Sequence, residues 1–127
     1  MNEFVEISPG CVFSNPGNMG HMWVVIAVAP DGMYLLANWS TRRSAAPPSC
    51  LLTPADHPKI KHESVIVYGM MREFSTEQVE QRIAEGNLRP AGRVSQETLG
   101  KMQSGIFVDK KVAPYIRTRY AFLKDQS

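Results

Sequence analysis

The chain has 127 residues, with 14 Lys and Arg against 12 Asp and Glu, so its formal net charge is only +2. This length fits one domain with a modest hydrophobic core, and residues 1–127 are interpreted as a single domain. Two cysteines are too few for a disulfide framework, and no apolar run approaches the roughly 20 residues that span a bilayer. The composition therefore predicts neither a disulfide-rich secreted domain nor a membrane-spanning protein.

The start of the chain is acidic and has no apolar run of the signal-peptide type, which predicts a cytoplasmic location with reduced thiols. Residues 4–7 alternate weakly and are interpreted as an edge strand or an arm. A turn at 8–10 leads into a short apolar strand at 11–13. Residues 14–20 are dense in turn formers, which predicts a loop.

A central β-hairpin is predicted next, because two apolar runs at 23–28 and 33–37 flank the turn sequence Ala-Pro-Asp-Gly. Antiparallel pairing brings the outer ends of such a hairpin together. Those ends carry His21 on one strand and Ser40 to Arg43 on the other. We therefore expect a polar site at this end of the hairpin.

The remaining pattern predicts two further strands, at 50–52 and 64–68, and then helices. The close spacing of about five strands is typical of a barrel or a small, strongly curved sheet. After Met71 a capping box at Ser75 begins one helix, Ser95 begins a second, and Pro114 begins a third. Residues 88–93 are interpreted as a loop.

The polar residues at the hairpin ends suit RNA cleavage by attack of the ribose 2′-hydroxyl. His21 would act as general base or acid, Thr41 would donate to the phosphate, and Arg42 or Arg43 would hold its charge. This reaction requires no metal or other cofactor. The candidate substrate-binding residues are the other polar and basic groups near the predicted strand ends: Arg43, His57, Lys59, His62 and Ser64.

Competing interpretations of some of these residues remain open. Cys50, Asp56, His57 and His62 could hold a metal, although their spacing matches no tight zinc pattern, and Cys50 with His57 could form a nucleophile pair. The final segment is basic and could be either a phosphate-binding stripe or a solvated helix face. Its cations are Lys110, Lys111, Arg117, Arg119 and Lys124.

The order of these segments resembles the PemK/MazF-like toxins, which are plasmid-maintenance and growth-inhibitor endoribonucleases. The matching segments are residues 9–13, 20–26, 35–41, 50–52, 64–68 and 95–108. The resemblance implies an SH3-like barrel that forms a homodimer and cleaves single-stranded RNA without metal, with an antitoxin protein in the RNA groove. Thr41 matches the family's catalytic Thr or Ser, but Met22 stands at the position of its catalytic arginine.

These observations predict an α+β fold, with a small SH3-like β-barrel of about five to six mostly antiparallel strands followed by two or three helices. The predicted function is a toxin-type, metal-independent endoribonuclease that acts on single-stranded RNA. The alternative is a non-catalytic barrel that binds nucleic acid or a protein partner, and the Met22 substitution favours it.

Overall fold

A computed structural model of the chain describes residues 6–16 and 21–125. The arm predicted at 4–7 and the loop predicted at 14–20 therefore lie partly outside the described residues. Residues 6–8 are not part of a strand. Within the described residues, no helix has the length and hydropathy of a membrane-spanning segment.

Seven antiparallel strands form a single sheet. They are β1 (Cys11–Asn15), β2 (His21–Val28), β3 (Tyr34–Thr41), β4 (Leu51–Leu52), β5 (Ser64–Ile66), β6 (Arg72–Phe74) and β7 (Arg89–Arg93). The order across the sheet is β4-β5-β3-β2-β1-β7, and β6 pairs with the first half of β3. The α+β class is confirmed, but the sheet formed by the described residues is not closed, where we expected a barrel.

The central hairpin is confirmed, and it is longer than its apolar runs. At its turn, the Gly32 amide donates to the Ala29 carbonyl at 2.8 Å, and Asp31 Oδ1 accepts from the Met33 amide at 3.2 Å. Gly32 has a φ of +89°, a conformation in which a side chain would be strained. The Pro-Asp-Gly sequence therefore sets the turn through local chemistry.

Three helices follow, and all three predicted starts are confirmed: α1 (Thr76–Ala84), α2 (Gln96–Gly105) and α3 (Pro114–Arg119). Ser75 forms a reciprocal capping box with Gln78, and Ser95 Oγ accepts from the Thr98 amide. These caps use only residues close in sequence, which is why the sequence alone reveals them.

The structure adds two strands that the sequence pattern does not show. β6 contains Arg, Glu and Phe, and β7 contains Arg-Pro-Ala-Gly-Arg, which we interpreted as a loop. Neither strand has a regular alternation of apolar and polar residues. Each is an outer strand that forms by pairing with a neighbouring strand. Pro90 and the positive φ of Gly92 are typical of an edge strand with a bulge.

Apolar side chains cover both faces of the sheet. On one face, α2 and α3 pack through Met102, Ile106 and Ile116 against strand residues such as Val24 and Leu35. On the other face, Val79 of α1 packs with a smaller cluster that includes Phe13 and Leu36. Both faces of the sheet therefore contribute to the hydrophobic core.

Candidate functional site

The polar end predicted from the hairpin is present, and five strands contribute to it. Asn15 of β1 lies opposite His21, and Thr41 lies opposite Ser64 of β5. Arg89 begins β7 and lies opposite Ser14. One end of the sheet therefore contains the starts of β2, β5 and β7 together with the ends of β1 and β3.

The register separates two of the predicted catalytic residues. Met22 lies opposite Trp39, so these two side chains share a face, and Thr41 is on that face because it is two residues beyond Trp39. His21, next to Met22, is on the other face. The structure therefore brings His21 and Thr41 to one end of the sheet but not into one cleft.

Arg42, the third predicted catalytic residue, is bound to its own loop. Its Nε donates to the Ser44 carbonyl at 3.1 Å, and its Nη2 lies 3.4 Å from the Ala45 carbonyl and 3.5 Å from that of Ala46. Its Nη1 forms a salt bridge with Glu63 at 3.3 Å. Because these contacts engage its donors, the Arg42 guanidinium stabilises the loop after β3.

His57, predicted to bind substrate, is buried rather than exposed to solvent. Its Nε2 is 2.8 Å from the Ala91 carbonyl, and its Nδ1 accepts from the Lys59 amide at 3.0 Å. Because a carbonyl can only accept, Nε2 carries the proton and both ring nitrogens are satisfied. Burial lowers the pKa of His57, and its ring lies 5.5 Å from that of Trp39.

The other predicted binding residues divide into two groups. Ser64 is buried, and its Oγ donates to the His62 carbonyl at 2.9 Å, so its hydroxyl stabilises the start of β5. Arg43, Lys59 and His62 are exposed. Of these three, Arg43 directly follows Arg42 at the polar end, and Lys59 neighbours the buried His57.

We name Arg42, Arg43, Lys61 and Arg89 the basic end of the sheet. Arg43, Lys61 and Arg89 are exposed and form no salt bridge with any residue that the structure describes. Glu63, the carboxylate next to β5, is already paired with Arg42. Arg89 was not among the predicted site residues, because residues 88–93 were interpreted as a loop. Only the pairing of β7 with β1 brings this residue to the site.

Asn38 is a second residue that the sequence analysis missed. It is 4% exposed, and its Oδ1 is the one buried side-chain oxygen or nitrogen atom without a hydrogen-bond partner among the described residues. Asn38 lies opposite Trp23, on the same face as His21 and Ser40. In the sequence, Asn38 is a single polar residue between the apolar run 33–37 and Trp39. This interruption is the signal that could have revealed it.

The residues considered for a metal site are used elsewhere. Asp56 accepts hydrogen bonds from Thr98 Oγ1 at 2.7 Å and from the Thr53 amide at 2.7 Å, and it pairs with Lys101 at 3.0 Å. Burial opposes ionisation of this carboxyl, but these donors prevail and lower its pKa. Within residues 6–16 and 21–125, no three His, Cys, Asp or Glu side chains cluster as metal ligands would.

Two comparisons bear on the identity of this site. No protein-family model matches the chain, and no curated protein is significantly similar to it.

Proposed function

We propose that this protein binds single-stranded RNA through the basic end of its sheet. One observation carries the proposal: three exposed cations without a described ion-pair partner belong to this end, because Arg43 follows β3, Lys61 precedes β5 and Arg89 begins β7. The carboxylate of Glu63, next to β5, is already paired with Arg42. Exposed cations grouped on one side of a domain contact phosphates and release counterions when they bind. Phosphate contacts of this kind supply affinity and orient the strand.

The sheet face beside the basic end has groups that suit nucleobases. Trp23 is half-buried and makes an edge-to-face contact with Phe74, with ring centroids 6.4 Å apart. Aromatic side chains of this kind stack on unpaired bases.

A second candidate function is the toxin-type endoribonuclease activity implied by the PemK/MazF resemblance. The exposed imidazole of His21 at the same end of the sheet favours it. Because Thr41 is on the opposite face and Arg42 is engaged, His21 would act with Arg43 as the phosphate-binding cation. The homodimer and the antitoxin partner, which the same resemblance implies, belong to this second candidate.

Fluorescence anisotropy with a labelled single-stranded RNA oligonucleotide tests the first candidate. Three phosphate contacts predict that log K falls with log salt concentration with a slope of about −2. Arg43→Glu, Lys61→Glu and Arg89→Glu should each weaken binding and make the slope shallower. Arg72→Glu is the matched control, because Arg72 is exposed and lies opposite Leu36, five residues along β3 from Thr41.

The same samples, resolved on a denaturing gel, distinguish the two candidates. Salt-dependent binding without RNA products supports the binding function alone. Products that disappear in His21→Ala support the endoribonuclease. Binding that ignores salt, or that falls equally in Arg72→Glu, would contradict both candidates and point to a protein partner.

A further inference from the structure

Arg42 and Glu63 form a cross-strand pair directly beyond the point where β3 and β5 stop pairing. Thr41 lies opposite Ser64, and the amide of the next residue, Arg42, donates to the Glu63 carbonyl at 2.8 Å. The two side chains form the salt bridge between Arg42 Nη1 and Glu63 Oε1 at 3.3 Å. The backbone therefore fixes both positions, and the contact between the side chains is not needed to hold them together.

The two side chains of this pair are held to different degrees. Besides its contact through Nη1, the Arg42 guanidinium donates to the carbonyls of residues 44, 45 and 46, from Nε at 3.1 Å and from Nη2 at 3.4 and 3.5 Å. The Glu63 carboxylate has no other hydrogen-bond partner among the residues that the structure describes, and its side chain is 58% exposed, against 25% for Arg42. The cation is therefore fixed by its loop, whereas its anion is attached by one contact at the surface.

We propose that Glu63 is an internal competitor of the nucleic acid, because it occupies a phosphate site on Arg42 until an RNA phosphate displaces it. This inference rests on the proposed RNA-binding function. Exposed ion pairs contribute little free energy, since water screens both charges, so the carboxylate can leave at low cost. A phosphate oxygen then accepts the hydrogen bond from Nη1, and the guanidinium, already ordered by its loop, loses little conformational entropy on binding.

This competition makes the site selective for a strand over a single phosphate. An isolated phosphate must displace Glu63 for the one contact that it gains at Arg42. The phosphates of a strand also contact Arg43, Lys61 and Arg89, and these linked contacts raise the effective concentration of the next phosphate beside Arg42. Arg42 is then a fourth phosphate contact of the basic end, and a polyanion recruits it.

The test measures binding of a fluorescently labelled oligouridine to the native full-length protein by anisotropy at several salt concentrations. Glu63→Gln keeps the size of the side chain and removes its charge, so it should tighten binding by about threefold to fivefold. The slope of log K against log salt concentration should also become steeper by up to about 0.7, because no freed carboxylate takes up a cation when the RNA releases one.

Glu77→Gln is the matched control, because it changes the net charge by the same amount. Glu77 is exposed, forms no salt bridge within the described residues, and lies in the first turn of α1. This helix follows the pairing of Phe74 with Tyr34, at the turn of the hairpin. Glu77→Gln should leave the affinity nearly unchanged.

A double variant shows whether the gain acts through Arg42. Arg42→Gln combined with Glu63→Gln should bind oligouridine as Arg42→Gln does alone, because no guanidinium remains for the phosphate to reach. A gain that came only from the lower negative charge of the protein would persist in the double variant.

Three results would overturn this inference while RNA binding stands: Glu63→Gln binds no tighter than the parent, Glu77→Gln gains as much as Glu63→Gln, or the gain persists in the double variant. If the Arg42 variants do not fold, the comparison of Glu63→Gln with Glu77→Gln decides the question alone. If the parent protein does not bind oligouridine even at low salt, the RNA-binding proposal fails, and this inference fails with it.

Discussion

Gly105, in the last turn of α2, lies directly against the buried ring of Tyr68. A Cβ at this position would overlap Tyr68 Oη and would lie 2.8 Å from the ring carbon Cε2. Tyr68 cannot easily move, because it is buried and its hydroxyl donates to the Met102 carbonyl at 2.6 Å. Gly105→Ala should therefore lower the free energy of unfolding by about 2–3 kcal/mol, as measured by urea denaturation.

Gly100 in the same helix is the matched control. A Cβ there meets no atom within 4 Å, and alanine has the higher helix propensity. Gly100→Ala should raise the free energy of unfolding by about 0.5–1 kcal/mol. Equal effects of the two substitutions would contradict the contact between Gly105 and Tyr68.

Asn38 lowers the stability of the fold, because its buried amide oxygen has no hydrogen-bond partner among the described residues. A buried polar atom without a partner costs roughly 1–3 kcal/mol, and leucine has a similar shape without the amide. Asn38→Leu should therefore raise the free energy of unfolding by about 1 kcal/mol, measured in urea. Asn38→Asp is the control, and it should destabilise the protein because it buries a charge at the same site. If Asn38→Leu is destabilised instead, the amide has a partner in the folded protein.

At the scale of single elements, α1 depends on its cap more than the other long helix does. Val79 is its one buried residue, whereas α2 buries Thr98, Leu99, Met102 and Gly105. Ser75 Oγ accepts from the Gln78 amide at 3.1 Å, and Gln78 Oε1 accepts from the Ser75 amide at 2.8 Å. Few tertiary contacts remain to hold α1 when this box is lost.

Ser75→Ala should therefore cost about 1 kcal/mol and increase amide hydrogen exchange throughout α1. Ser104→Ala is the control, because Ser104 is exposed and its hydroxyl donates only to the Gly100 carbonyl within α2. Faster exchange in α2 than in α1 after the Ser75 substitution would argue against the role of the cap.

At the scale of the whole molecule, His57 joins the two edges of the open sheet. It lies on the loop between β4 and β5, and its hydrogen bond to Ala91 reaches β7 at the other edge. Protonation of Nδ1 would place two donors face to face, since this atom accepts from the Lys59 amide. The fold therefore requires neutral His57, and the nearby Lys59 charge adds to the effect of burial in lowering its pKa.

This linkage predicts how stability changes with pH. The unfolded chain binds a proton at His57 near pH 6.5, whereas the folded chain binds it only at lower pH. Stability from this residue is thus complete above pH 6.5 and falls as the pH decreases below that value. Urea unfolding at pH 7.5 and 5.5 should show the loss, and His57→Gln should reduce it.

Exposed histidines supply the control for that measurement. His21→Gln and His62→Gln should leave the difference between the two pH values unchanged, because both side chains are exposed. If His62→Gln abolishes the difference and His57→Gln does not, the hydrogen bond to Ala91 is not the source of the pH dependence.

The amino-acid sequence by itself determined the features whose causes lie within a few residues. The turn at Asp31 and Gly32, the caps at Ser75 and Ser95, and the helix start at Pro114 follow from side-chain and backbone chemistry that is local. The apolar runs of the hairpin also predicted β2 and β3, and their antiparallel pairing predicted a polar end.

Only the tertiary structure decided which polar side chains lie close together. A register of paired strands placed His21 and Thr41 on opposite faces, and strand pairing rather than composition brought Arg89 to the basic end. His57 was assigned to the site from its sequence position, but its partner Ala91 lies in a strand that no local pattern shows. Register and long-range partners depend on contacts between segments far apart in sequence, and no single stretch of the chain contains that information.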